Sequence, residues 1–306
     1  MTTTLQKGDI LLFFAGDSWL SKSISYLTNS EVTHAAMVYS EDSMVEILAD
    51  GVQLNKIALK EGKKAYLMRH DPELDFEPLK KSADAYLNSE VLYDFPGLYL
   101  LGGLLIYSRL VPTPRILKYT KLILEADILL LDQFIQKKLL HHPEKTMVCS
   151  QLIYQIFYDC GGDYQIPIVG GCLSVNEIKN SRPDTVRLID MLDENYSYKS
   201  SHVTPAVKDE NLNVASPAFT ENLAKELYLA LTEADASPIS NPDMLSASPE
   251  LDCVLSLAGQ FLDKLKLILH KINSNLPLDA MFVTPGDMAY HAPSLKRIDT
   301  VYIERI

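Results

Sequence analysis

The stretch THAAMVYSEDSMVEILADGVQ, residues 33–53, has the period-two alternation of a half-buried β-hairpin. Its polar SEDS segment separates two apolar arms and has the composition of a turn. His34 stands near the start of the first arm, and Glu46 lies in the second arm. An odd number of loop residues places both side chains on one face of the hairpin, whereas an even number separates them. A site that uses both side chains requires the odd register, or a bulge that has the same effect, and we expect one of these.

Strand and helix patterns are segregated along the first half of the chain. Short strands are predicted at residues 8–15 and 65–70, and Asp17 or Ser18 is expected to cap a helix between them. Helical periodicity covers residues 77–90 and 115–140. This segregation predicts an α+β fold in which an antiparallel sheet packs on helices.

The segment TMVCSQLIYQIFYDCGG, residues 146–162, has the clearest helical pattern in the chain. Its apolar residues recur at helical spacing: Cys149, Leu152, Ile153, Ile156, Phe157 and Cys160. Thr146 is expected to cap the start of the helix and Gly161 its end. Cys149 therefore lies in the first turn, where the helix dipole favours a thiolate over a thiol.

A reactive thiolate needs a neighbouring base and a group that orients the base. His34 and Glu46 are the candidates for these two roles with Cys149 as nucleophile. Each residue also has an ordinary structural interpretation. Taken alone, a cysteine in the position of Cys149 is usually a small core residue, and a histidine such as His34 is usually a hydrogen-bonded strand residue. Glu46 is as readily a solvent-facing strand residue.

The composition changes beyond residue 200, where stretches rich in Ser, Pro and Asn surround two helical patterns. Ser216-Pro217 and Ser248-Pro249 predict helices at about 217–233 and 249–273. We predict three regions, namely a catalytic domain at 1–200, a helical insertion or extension at 201–280, and a C-terminal segment at 281–306 that packs back on the first. Residues 283–300 echo residues 173–190, either by chance or as two turn-helix-strand pieces.

The charge, the cysteines and the apolar runs limit the classes of function. A net charge of -12 with no long Lys/Arg cluster argues against a nucleic-acid partner. The four cysteines form no CxxC pair, so reduced thiols are expected. The N-terminus has no signal-peptide pattern, which favours a cytoplasmic location or export without a cleavable signal. The apolar run Leu98 to Tyr107 is shorter than the roughly 20 residues of a spanning helix, so we expect no integral membrane segment. We expect this run to be a buried segment or part of an acyl-chain groove.

Five motifs occur in the order GDILLF, THAAMVY, MVEILADGVQL, YDFPGLY and MVCSQLIYQIF. In this order they resemble the YiiX/YebB-like branch of the NlpC-type papain-like hydrolases, whose fold is circularly permuted so that the histidine strand precedes the cysteine helix. The resemblance covers about residues 7–165, extends to 283–300, and does not cover 200–280. It implies that Cys149 is the nucleophile, His34 the general base, Glu46 the residue that orients the imidazole, and Tyr93 a residue near the bound substrate.

The resemblance implies a cysteine hydrolase or acyltransferase that acts on an amide or ester without a cofactor. Small molecules, lipids and peptides are all candidate substrates, because the stretch from Asp94 to Met147 departs from a minimal family member. The main alternative is a catalytically silent lipid- or protein-binding module with residues 201–280 as the surface for a protein partner. A metal enzyme is the weakest alternative, because the possible ligands show no metal-binding spacing: His34, Glu46, His70, His141 and His142.

Overall fold

A computed structural model describes residues 4–93, 114–140, 145–171, 217–236 and 283–303, together with helical residues between 249 and 264. The strands are β1 (Ile10–Phe14), β2 (Val32–Val38), β3 (Ser43–Leu48), β4 (Gly51–Lys56), β5 (Lys64–His70), β6 (Val91–Tyr93), β7 (Lys145–Met147) and β8 (Leu295–Tyr302). The helices are α1 (Trp19–Thr28), α2 (Phe76–Leu87), α3 (Pro114–Leu140), α4 (Cys149–Cys160), α5 (Pro217–Ala236) and α6 (Pro285–Tyr290). Single 3-10 turns occur at Ile57–Lys60 and Gly162–Tyr164.

Six of the strands form one antiparallel sheet in the order β4-β3-β2-β1-β5-β8. The remaining strands, β6 and β7, form a separate parallel pair. The α+β class is therefore confirmed. The strands predicted at 8–15 and 65–70 correspond to β1 and β5, and the helices predicted at 77–90 and 115–140 correspond to α2 and α3.

The central strands are buried on both faces, and each face packs into its own core. Along β1, Ile10 and Leu12 belong to the larger core, which α2, α4 and α6 cover. Leu11 and Phe13 belong to a smaller core on the opposite face, which Ile57 and the C-terminal Ile303 help to close. The sheet is therefore a middle layer, and the helix that begins at Cys149 lies on its larger-core side.

The hairpin has the odd register. Met37 pairs with Val45 and Val38 with Met44, so five residues, 39–43, connect the last pair. Extending this register places Ala36 opposite Glu46, and His34, two residues before Ala36, shares that face. The odd register that a joint site of His34 and Glu46 requires is confirmed. The expectation of a half-buried hairpin was wrong, because both arms are buried on both faces of the sheet.

One strand was missed, and one local expectation was wrong. Strand β4 lies between the hairpin and β5 in the chain, and it was not predicted because this edge strand is largely polar and partly exposed. Thr146 does not cap the cysteine helix. It belongs to β7, which pairs with β6, and the N-cap position falls on Val148. Gly161 does end the helix, with φ at +68°.

The C-terminal parts of the chain return to the sheet and to α1. Strand β8 pairs with β5 and forms one edge of the sheet. Helix α5 begins at Pro217 as predicted, and its Glu221 carboxylate accepts hydrogen bonds from the N–H groups of Trp19 and Leu20 at the start of α1.

The boundaries predicted near residues 200 and 280, the apolar run 98–107 and the first copy of the echo, 173–190, lie outside the described residues. Among the described helices, none combines the length and the apolar character that crossing a membrane requires.

A close backbone contact joins the main sheet to the strand pair that leads into α4. Gly51 opens β4 with φ at +103°, and a Cβ placed there would lie 2.8 Å from the carbonyl oxygen of Val91 in β6. A larger residue at position 51 would therefore be strained and would also push β6 away from the sheet.

We predict that Gly51→Ala lowers the free energy of unfolding by about 2–4 kcal/mol, because the cost of backbone strain adds to the cost of the collision with Val91. Gly62→Ala is the matched control. Gly62 also has a positive φ, +76°, but a Cβ placed on it would meet no atom within 4 Å, so a loss of about 1 kcal/mol is expected. Urea denaturation of both variants measures the difference. Equal losses would show that the contact with β6 does not constrain the fold.

Candidate active site

Cys149 is the first residue of α4 and is buried, with 5% of its surface exposed. The preceding strand β7 fixes its position, because Met147 pairs with Tyr93 of β6. The side-chain oxygen of Gln151 accepts a hydrogen bond from the Val148 N–H, which satisfies one N–H at the start of the helix. The thiol thus lies at the positive end of the helix dipole.

The backbone of β2 leaves polar groups facing the place where β3 diverges from it. Alternate residues of a strand hydrogen-bond to opposite neighbours, and the N–H of Tyr39 donates to Ser43 on the β3 side. Thr33 and Ala35 have the same parity and therefore face the same side. The pairing of β2 with β3 begins only at Met37, so these two residues need another partner.

The sulfur of Cys149 supplies that partner. Its Sγ lies 4.0 Å from the carbonyl oxygen of Thr33, and the backbone N–H groups of Ala35 and Ser150 donate hydrogen bonds to it. These contacts fall on the residues that flank His34. The thiol therefore reaches His34 even though α4 packs on the opposite face of the sheet.

His34 lies between the thiol and a carboxylate. Its Nε2 is 2.6 Å from Oε2 of Glu46, so its other ring nitrogen, Nδ1, is left to face Cys149, with which the imidazole also hydrogen-bonds. The ring lies 5.9 Å from that of Phe13 on the neighbouring strand. The imidazole is partly accessible, with 22% of its side chain exposed.

Glu46 is almost completely buried, with 1% of its side chain exposed, and polar groups surround both of its oxygens. Oε1 accepts a hydrogen bond from Asn55 Nδ2 at 3.0 Å, and Oε2 lies 2.8 Å from Nζ of Lys60. Burial alone opposes ionisation, but the hydrogen bond and charge of His34, together with Lys60 and Asn55, lower the pKa of Glu46 to about 2. The carboxylate is therefore charged at neutral pH.

The thiol and the imidazole stabilise each other in their charged forms. Burial opposes ionisation of Cys149, but the charge and hydrogen bond of His34, with the two backbone N–H groups, bring its pKa below the ordinary value. Burial also opposes the charged form of His34, yet Cys149 and then Glu46 raise its pKa to about 9. Each group therefore stabilises the charged form of the other, which favours a thiolate–imidazolium pair over a neutral thiol and imidazole.

The segment before α6 is hydrogen-bonded to the first turn of α4. The hydroxyl of Ser150 donates a 2.6 Å hydrogen bond to the carbonyl oxygen of Val283, and both residues are buried. Thr284 and Asp287 fix that segment by reciprocal hydrogen bonds at the start of α6. Residues far apart in sequence thereby set the position of the residue next to Cys149.

The other predicted site residues have different surroundings. Tyr93 ends β6 opposite Met147, two residues before Cys149, and packs at the border of the larger core. His70 is buried, its Nδ1 is 3.0 Å from the carbonyl oxygen of Pro72, and its ring stacks on Phe157, two turns along α4 from Cys149.

His141 and His142 lie outside the described residues, which contain no group of three or more His, Cys, Asp or Glu side chains placed to hold a metal ion.

Sequence reasoning missed Lys60 and Asn55, the two further partners of Glu46. Asn55 lies in β4 beside Gln53, the residue opposite Glu46. Recognising β4 as a strand would have placed the side chain of Asn55 on the face of Glu46, because residues 53 and 55 have the same parity. Lys60 follows in a 3-10 turn, and no periodic pattern marks it.

No protein-family model matches the chain, and a search of curated proteins gives no match. The assignment of a function to this site therefore depends on its geometry and on the chemistry of its residues.

We predict that Cys149→Ala lowers the pKa of His34 by about one unit or more, because the thiolate is the strongest group that favours the imidazolium. The pH titration of the His34 ring protons by NMR measures this change. The wild-type value is expected near 9, and Cys160→Ala, which removes the thiol at the other end of α4, should not alter it. A wild-type His34 that titrates near its ordinary value of about 6.5 would contradict the ion pair.

Proposed function

We propose that the protein is a cysteine hydrolase or acyltransferase with Cys149 as nucleophile, His34 as general base and acid, and Glu46 as the residue that orients the imidazole. The observation that carries the proposal is the continuous contact from a thiol at a helix N-terminus to an imidazole and on to a buried carboxylate. This is the arrangement that activates a thiol for attack on an acyl carbon.

The reaction begins with the proton already transferred from Cys149 to His34. The thiolate attacks the carbonyl carbon of an amide or ester, a C–S bond forms, and the carbonyl electron pair moves to oxygen. First-turn N–H groups of α4 stabilise this oxyanion. The C–N or C–O bond then breaks as His34 gives its proton to the leaving amine or alcohol, and a thioester remains on Cys149.

The second half of the reaction returns the site to its starting state. Water, or an amine in acyl transfer, attacks the thioester and gives a proton to the now neutral His34. The C–S bond breaks, and Cys149 leaves as the thiolate beside a protonated imidazole. Glu46 keeps its charge throughout and stabilises each imidazolium that forms.

The order of the elements supports a permuted papain-like fold of the NlpC type as part of this proposal. The strand that carries His34 precedes the helix that begins at Cys149, and the helix packs against the antiparallel sheet. The proposed substrates are amides or esters of small molecules, lipids or peptides, handled in the cytoplasm or after export without a cleavable signal. Residues 201–280 are the proposed surface for a protein partner.

The experiment that tests the function is capture of the acyl-enzyme. We expect p-nitrophenyl esters of short and long acyl chains, or a peptide p-nitroanilide, to add one acyl group to Cys149, which intact-mass and peptide mass spectrometry locate. Cys149→Ala should abolish the adduct, and His34→Ala should slow its formation by about 10²–10⁴-fold. Cys160→Ala is the matched control and should acylate at the wild-type rate.

Acylation spread over Cys160, Cys253 and lysines, with no preference for Cys149, would contradict the proposal. It would favour a binding module that has the same fold and no catalytic thiol.

A further inference from the structure

Lys60 contacts the same oxygen of Glu46 that binds His34. Its Nζ is 2.8 Å from Oε2, and Nε2 of His34 is 2.6 Å from that atom. The four groups therefore follow one another with alternating charge, from the thiolate of Cys149 through the imidazolium and the carboxylate to the ammonium of Lys60.

The position of Lys60 is fixed by the turn that carries it. The turn Ile57–Lys60 directly follows β4, and its first residue, Ile57, is buried in the smaller core. The N–H of Ile57 donates to the carbonyl oxygen of Asp42 at 2.8 Å, which ties the turn to the hairpin loop. The ammonium also lies 5.7 Å from the ring centroid of Phe13. Only 19% of the lysine side chain is exposed.

This ion pair differs from an ordinary surface pair, which contributes little because water screens both charges. Here Glu46 is buried, and a buried carboxylate interacts strongly with each neighbouring charge. A carboxylate that acted on His34 alone would hold the imidazolium tightly and oppose transfer of its proton to a leaving group. A second cation on the same oxygen weakens the attraction between the carboxylate and the imidazolium.

We propose that Lys60 is a positioning residue that shares the Glu46 carboxylate with His34 and so sets how readily the imidazolium gives up its proton. This inference rests on the proposed function. The groups that act on His34 come from separate elements, with Cys149 from α4, Glu46 from β3 and Lys60 from the turn after β4. Asn55 from β4 binds the other oxygen of Glu46 and adds no charge.

The pH dependence of Cys149 alkylation by iodoacetamide tests the inference without a substrate. The rate should rise in two steps, first as the thiolate–imidazolium pair forms and again near pH 9, where His34 loses its proton and frees the thiolate. Lys60→Met removes the competing cation, so the upper step should move up by on the order of one pH unit. Glu46→Gln should move it down.

Three further variants separate electrostatics from structure. Lys60→Arg keeps the charge and should restore the wild-type upper step. Lys80→Met removes a lysine that pairs with Asp84 on α2, away from Glu46 in the sheet, and should change neither step. Lys60→Gln replaces Lys60→Met if circular dichroism shows that the latter is unfolded.

An upper step that stays at the wild-type pH in Lys60→Met, or in Lys60→Gln where that variant replaces it, while Glu46→Gln shifts the step, would overturn the role of Lys60 and leave the proposed function intact. A wild-type profile with one step near the ordinary thiol pKa of about 8.5 would instead contradict the ion pair, and with it both the proposed function and the inference.

Discussion

The buried carboxylate of Glu46 is the constraint on which the site depends. A charge that is removed from water is stable only when other charges and hydrogen-bond donors surround it. Glu46 obtains these from three elements, His34 on β2, Asn55 on β4 and Lys60 in the following turn. Because each partner must reach one small group, the hairpin register, the path of β4 and the turn after it are coupled to one another.

A second constraint is the divergence of β3 from β2. The break in pairing before Met37 leaves the backbone of Thr33 and Ala35 directed at the sulfur of Cys149. An uninterrupted ladder would have used those groups within the sheet and excluded the thiol. The gap therefore lets a helix on one face present its first residue to a histidine that belongs to the other face. The N–H of Ala35, which an uninterrupted ladder would bind, here donates to the sulfur and lowers the pKa of Cys149.

The parts that the sequence predicted correctly are those with local causes. The odd hairpin register followed from the requirement that His34 and Glu46 share a face, because the number of loop residues decides which side chains of the two arms lie together. The helical spacing after Cys149 likewise predicted α4. The start of α4 was misplaced because β7 is specified by pairing with β6, more than fifty residues away, and no local pattern reveals that contact. Lys60 was missed for a similar reason, since its partner lies on another strand.

The most direct test of the thiolate–imidazolium pair is the competition between two cysteines of one protein for a limiting amount of iodoacetamide at about pH 6, read by peptide mass spectrometry. Cys149 is more buried than Cys160. Burial raises the pKa of Cys160. Access alone therefore favours Cys160. We expect Cys149 to react about tenfold faster or more in the wild type and to lose this advantage in His34→Ala. Equal reaction of the two thiols, or faster reaction of Cys160 in the wild type, would contradict the ion pair.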